Sequence, residues 1–166
     1  MFLQAWTGIC AIIVHQVNHP EIFADLSLTE GNQPLVNTLS MTNRKALIVD
    51  DEEDTCFLLS MILKQQDWET SFVHSLSEAS RSLAAEEPAV IFLDNNLGDG
   101  LGVEYIPQIK TRYPLTKVIL ITAFDTLPTR SLAFENGAHY FVGKPFDKQA
   151  IHQALDSVKA GGDTKD

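Results

Sequence analysis

The chain has 166 residues, 45% of them hydrophobic and 20% charged, which is about one domain of ordinary globular composition with enough apolar residues for a core. Its 22 acidic and 12 basic residues leave a formal net charge of −10, which argues against nonspecific binding to nucleic acid or to an anionic membrane. The two cysteines, Cys10 and Cys56, form no CxxC pair and no metal-ligand spacing, and read as unpaired thiols of a reducing compartment.

Residues 1–43 contain no Lys or Arg and read as a weakly ordered N-terminal extension. Their apolar run, residues 8–14, is far short of the roughly 20 residues that a membrane-spanning helix needs. A secretory signal would begin with a positive segment, and none is present. Met41 directly precedes the first strand-like run and is a candidate natural start.

From Lys45 onward, strand and helix signals alternate. Residues 46–49 are a short apolar run that ends in acids, the pattern of a buried parallel strand. A helix is expected over 53–66, with Phe57, Leu58, Met61 and Ile62 as its apolar stripe. Residues 69–74 read as a weaker strand. Residues 76–87 read as a helix with Leu76, Ala79 and Leu83 on one face, closed by Pro88. A third strand covers 90–93 and runs into Asp94, and residues 95–102, rich in Asn, Asp and Gly, read as a loop.

A helix over 103–113, a strand over 118–121 ending in Thr122, and a helix over 128–136 capped by Gly137 follow. The last strand, 140–142, leads into Lys144, and the last helix, 147–159, carries Ile151, Leu155 and Val158 as its stripe. The domain is therefore expected over 44–160, with a short tail over 161–166. Five βα units of this length predict an α/β fold, a doubly wound, five-stranded parallel sheet with helices on both faces. Such sheets bind ligands beyond the carboxyl ends of their strands. That edge collects Asp50 and Asp51 from the first strand, Asp94 from the third, Thr122 and Ala123 from the fourth and Lys144 from the fifth.

Three carboxylates on one edge repel one another unless a cation neutralises them. Mg²⁺, which takes carboxylate and phosphate oxygens and keeps several waters, suits such a site. Lys144 adds a point charge for a phosphoryl group, and Thr122 adds a hydroxyl donor. The set suits phosphoryl transfer, with a carboxylate able to act as nucleophile.

Four fragments, Leu47-Ile-Val-Asp-Asp-Glu52, Ile91-Phe-Leu-Asp94, Ile119-Leu-Ile-Thr-Ala123 and Gly137-Ala138 leading to Lys144-Pro-Phe146, occur in order, each at a strand end. With 43 residues from Asp51 to Asp94 and 22 from Thr122 to Lys144, the stretch from about Lys45 to Lys159 resembles the receiver domains of bacterial two-component response regulators, of flavodoxin-like fold. The resemblance implies that Asp94 accepts a phosphoryl group from a sensor histidine kinase or a histidine phosphotransfer protein. It implies that Asp51 and Asp94, Asp50 directly or through water, and the backbone carbonyl of Asn96 hold Mg²⁺. Lys144, Thr122 and the Ala123 backbone N–H would bind phosphoryl oxygens. Thr122 and an aromatic ring, Phe141 by spacing or else the neighbouring Tyr140, would form the switch.

Two departures loosen this edge: Gly98 stands where the family usually has Pro, and Gly143 precedes Lys144. Phe124, two residues past Thr122, is placed to shield an acyl phosphate from water. The resemblance further implies a cytoplasmic protein that is not an enzyme beyond its own phosphoryl transfer and slow dephosphorylation. Only residues 160–166 follow the last helix, so the expected output is contact with a downstream protein or onward transfer of the phosphoryl group, without direct DNA or membrane binding. The alternatives are a receiver-like interaction module that works without phosphorylation, and a phosphatase of the haloacid-dehalogenase type. The latter wants Asp two residues after Asp50, where Glu52 stands. No GxxxxGK[ST] motif is present for a P-loop enzyme.

Overall fold

A computed structural model describes residues 44–160. The expected N-terminal extension, the apolar run 8–14, Met41 and the tail 161–166 lie outside the described residues. The elements are β1 (Lys45–Val49), α1 (Glu53–Lys64), β2 (Glu69–Val73), α2 (Leu76–Ala85), β3 (Val90–Asp94), β4 (Asn96–Leu97), β5 (Gly100–Leu101), α3 (Gly102–Arg112), β6 (Lys117–Thr122), α4 (Leu127–Glu135), β7 (Tyr140–Gly143) and α5 (Lys148–Ala160).

Five strands form one parallel sheet in the order β2-β1-β3-β6-β7. The central strands are uninterrupted apolar runs because both of their faces are covered. Alternate side chains therefore enter two cores. Ile48, Phe92, Ile119 and Ile121 pack with Leu59, Leu63 and Leu155 of α1 and α5. Leu47, Ile91, Leu93 and Leu120 pack on the other side with Leu83, Ile106 and Ala133 of α2, α3 and α4. This is the flavodoxin-like α/β fold that the sequence pattern predicts. Strand order reverses between β1 and β3, so the ligand crevice opens where Asp50 and Asp94 emerge. Among the described residues no helix is long and apolar enough to cross a membrane.

Two expectations are corrected. The inward face of α1 is Cys56, Leu59, Ile62 and Leu63, whereas Phe57, Leu58 and Met61 of the expected stripe are exposed. Apolar residues surround much of this helix, and only the arc centred on Leu59 and Leu63 can reach β1 and α5. The loop expected over 95–102 is partly ordered as the antiparallel ladder β4–β5, with Asn96 opposite Leu101 and Leu97 opposite Gly100.

Helix α3 tolerates Pro107 because the carbonyl orphaned by the missing N–H, that of Val103, accepts a hydrogen bond from Asn136 Nδ2 at 2.8 Å. At the start of β7, His139 N donates to Val118 O at 2.7 Å, and His139 Nδ1 accepts from Val118 N at 3.1 Å. Burial, helped by the charges of Lys110 and Lys117, pushes the imidazole down to about 4. The unfolded chain then binds a proton near pH 6.5 that the folded chain refuses. Stability contributed by His139 is therefore complete above that pH and falls as pH drops toward about 4. Urea unfolding of the wild type and His139→Gln at several pH values checks this: the variant is expected to lose part of the acid-side slope, and an identical slope in both would count against it.

Candidate functional site

At the crevice, strand ends bring together residues far apart in sequence. Asp50 follows β1 and is 1% exposed; Asp94 ends β3 and is 4% exposed. Between them stands Lys144, whose Nζ lies 2.8 Å from Asp50 Oδ2 and 2.8 Å from Asp94 Oδ1. The same ammonium donates to Glu52 Oε2 at 3.1 Å. Lys144 is aimed by its own backbone, whose N–H donates to Thr122 O at 2.7 Å.

Burial works to lower the Lys144 pKa, but Asp50 and Asp94 outweigh it and hold the amine above its usual range. Burial also raises Asp50, against the pull of Lys144 and of the Glu52 N–H that donates to Asp50 Oδ1 at 3.0 Å. Lys144 holds Glu52 below the ordinary carboxylate range, with help from the Thr55 hydroxyl. The pocket is thus a cluster of like charges made tolerable by one cation.

The other expected residues take varied positions. Thr122 is buried, and its Oγ1 accepts from Phe124 N at 3.0 Å, which leaves the hydroxyl proton to give elsewhere. Asp51, Asn96 and Ala123 stand at the exposed rim, and Asn96 N donates to Asp94 Oδ2. Phe141 is buried in the core beside α4, with the Arg130 guanidinium 4.6 Å above its ring. Arg130 also reaches both carboxylate oxygens of Asp125 at 2.8 Å. Tyr140 packs against the opposite core. The ring of Phe124 is 64% exposed.

Four further residues shape the pocket. Glu52 is the third carboxylate on Lys144, and its place in the acidic run after β1 was a signal for it. His74, one residue past β2, meets the Asp50 carbonyl through Nδ1 at 2.9 Å; since a carbonyl only accepts, Nδ1 carries the proton. Cys56 donates to the same carbonyl at 3.3 Å, and burial pushes its thiol up to about 11. Gly102 opens α3 against the end of β3, where a Cβ would come within 2.1 Å of Asp94 O.

The donors suit a hard divalent cation. They are all oxygens, and buried Asp50 Oδ2 has the Lys144 ammonium, at 2.8 Å, as its one polar contact among the described residues. Among the described residues no three His, Cys, Asp or Glu side chains are arranged as a ready-made metal cage. An ion that keeps several waters suits these donors, and Asp50, Asp51, Asp94 and the Asn96 carbonyl are the residues that could hold it.

The family model "Response regulator receiver domain" matches residues 46–156. The chain is 38% identical over 115 residues to response regulator protein PilR of Pseudomonas aeruginosa, a match that covers 69% of this chain and 26% of that protein. The chain thus spans about a quarter of that relative's length. Among solved structures, the beryllofluoride-activated NtrC4 receiver domain dimer superposes with a TM-score of 0.66 at 31% identity, covering 70% of this chain and 98% of that one. A response regulator from Burkholderia pseudomallei, solved with a phosphorylated aspartic acid and a calcium ion, has a TM-score of 0.64 at 24% identity and covers 70% of this chain and 69% of that one; it bears on the fold alone.

Gly102→Ala forces a methyl group against the Asp94 carbonyl, so α3 or β3 must shift. The expected loss is about 1–3 kcal/mol, read by urea or thermal unfolding. Unchanged stability would show that the close approach is not enforced.

Proposed function

The chain belongs to the response regulator receiver domain family, and on that premise we propose that it is a phosphorylation switch with Asp94 as acceptor. The observation that carries this reading is the ammonium of Lys144 between the buried carboxylates of Asp50 and Asp94. A receiver implies a histidine kinase or a phosphotransfer protein as donor. In that transfer an Asp94 carboxylate oxygen forms a bond to phosphorus as the donor's P–N bond breaks, and the histidine nitrogen takes up a proton.

The chain's own groups supply position and charge. Lys144 gives up contact with the free carboxylates and neutralises the phosphoryl oxygens. Thr122 donates its hydroxyl proton to one of them, and the Ala123 N–H joins it. Asp50, Asp51, Asp94 and the Asn96 carbonyl would hold Mg²⁺, which would supply charge neutralisation for the incoming phosphoryl group. The Asn96 N–H on Asp94 Oδ2 steadies the carboxylate.

For Thr122 to reach a phosphoryl oxygen, the loop after β6 closes toward Asp94. Arg130 links Asp125 of that loop to the Phe141 ring, so the loop's position is felt on the face of α4 and β7. Exposed Leu127, Leu132 and Phe134 on α4 make this face suited to a protein partner. Phe141, not Tyr140, is the switch ring in this reading, because it shares a core with α4. Receiver domains are typically not enzymes in their own right and usually work in the cytoplasm, and we assign this chain the same role and place.

Phosphoryl incorporation from phosphoramidate, followed by intact-protein mass with and without Mg²⁺, tests the assignment. The wild type is expected to gain one phosphoryl mass only with Mg²⁺, and Asp94→Asn is expected to gain none. Equal incorporation in both chains would move the acceptor elsewhere. No incorporation in either, even with a histidine-phosphorylated donor protein, would favour an interaction module that works without phosphate.

A further inference from the structure

The loop that carries Asn96 lacks a stiffening proline, yet it is fastened at its tip. Asp99, in the turn between β4 and β5, accepts from Leu76 N through Oδ1 at 2.9 Å and from Ser77 N through Oδ2 at 3.0 Å. These are the first two N–H groups of α2, which the helix itself leaves without partners. The local cap, Ser75, is already engaged with Glu78 N at 3.2 Å, so Asp99 adds a cap from another part of the chain. The two backbone N–H groups hold the Asp99 carboxyl below its ordinary range. A second contact sits beside it: at Gly100, with φ of +154°, a Cβ would come within 2.9 Å of Leu76 Cδ1.

The same helix end is tied to the other wall of the pocket. Glu78 Oε2 accepts from His74 N at 2.8 Å, and His74 Nδ1 donates to Asp50 O at 2.9 Å. The start of α2 thus stands between the segment holding Asp50 and the hairpin that follows Asp94. We infer that Asp99 is a positioning residue for the metal and phosphoryl site, bracing the β4–β5 hairpin on the first turn of α2 so that the Asn96 backbone is held at a fixed distance from Asp50 and Asp94.

The inference rests on the phosphorylation reading above and goes beyond it in naming what sets the site's width. It also accounts for Gly98. That residue occupies the first central position of the turn between Leu97 and Gly100, with no atom within 4 Å of an added Cβ. Proline is favoured at that turn position, so this chain can take its rigidity from Asp99 or from a proline.

The test is the Mg²⁺ concentration giving half-maximal phosphoryl incorporation from phosphoramidate, measured beside thermal unfolding. Asp99→Ala is expected to raise that midpoint about tenfold, the usual effect of removing an outer partner of a metal site. Asp99→Asn, which keeps one acceptor oxygen, is expected to fall between. The decisive chain is the double variant Gly98→Pro with Asp99→Ala: it is expected to recover most of the Mg²⁺ midpoint while the melting temperature stays lowered by the missing cap. A merely structural cap predicts the reverse, a wild-type midpoint in the folded fraction and no rescue by proline, and either result overturns the inference. A wild type with no Mg²⁺-dependent incorporation overturns the phosphorylation reading and this inference with it. A wild type that incorporates phosphate while Asp99→Ala keeps its midpoint overturns this inference alone.

Discussion

Two carboxylates buried at neighbouring strand ends are held by a single ammonium, and the rest of this edge is arranged around that contact. Burial works against the charged form of Asp50, and a nearby cation offsets that cost. Lys144 provides one, 2.8 Å from Asp50 Oδ2 and 2.8 Å from Asp94 Oδ1.

The fold places these groups before any side-chain detail matters. Parallel pairing sends β1, β3, β6 and β7 the same way, so all four deliver their last residues to one edge. The reversal of strand order between β1 and β3 leaves no connection across the top of those two strands. Around this opening the chain places unlike supports. Cys56 and His74 both meet the Asp50 carbonyl, Gly102 lets α3 lie against Asp94, and the β4–β5 hairpin leans on α2. On the β6 side Ala123, Phe124 and Asp125 are exposed, and Asp125 is tied to α4 through Arg130.

Much of this was legible in the sequence because it follows from strand endings. Asp50, Asp94, Thr122 and Lys144 each directly follow or close an apolar run, and a parallel sheet leaves little freedom in where such residues go. The α1 stripe was not legible, because Phe57, Leu58 and Met61 are as apolar as Leu59 and Leu63, and only packing against β1 and α5 selects the inward arc. The β4–β5 ladder was hidden for a different reason. Two-residue strands are too short to show a period, and Asn, Asp and Gly at this density read as turn. Asp99 looked like one more turn residue; its role depends on α2, 22 residues earlier in the chain. Glu52 and His74 were within reach of the strand-end argument had it been extended one residue further at β1 and applied to β2.

The most direct test follows backbone amides by heteronuclear NMR as Mg²⁺ and then beryllofluoride are added. The account predicts that Mg²⁺ alone shifts the amides of residues 50–52 and 94–96, and that beryllofluoride adds residues 122–124 and 141–144. Shifts confined to the opposite end of the sheet, or strand-end amides unmoved at saturating concentrations of both, would contradict it.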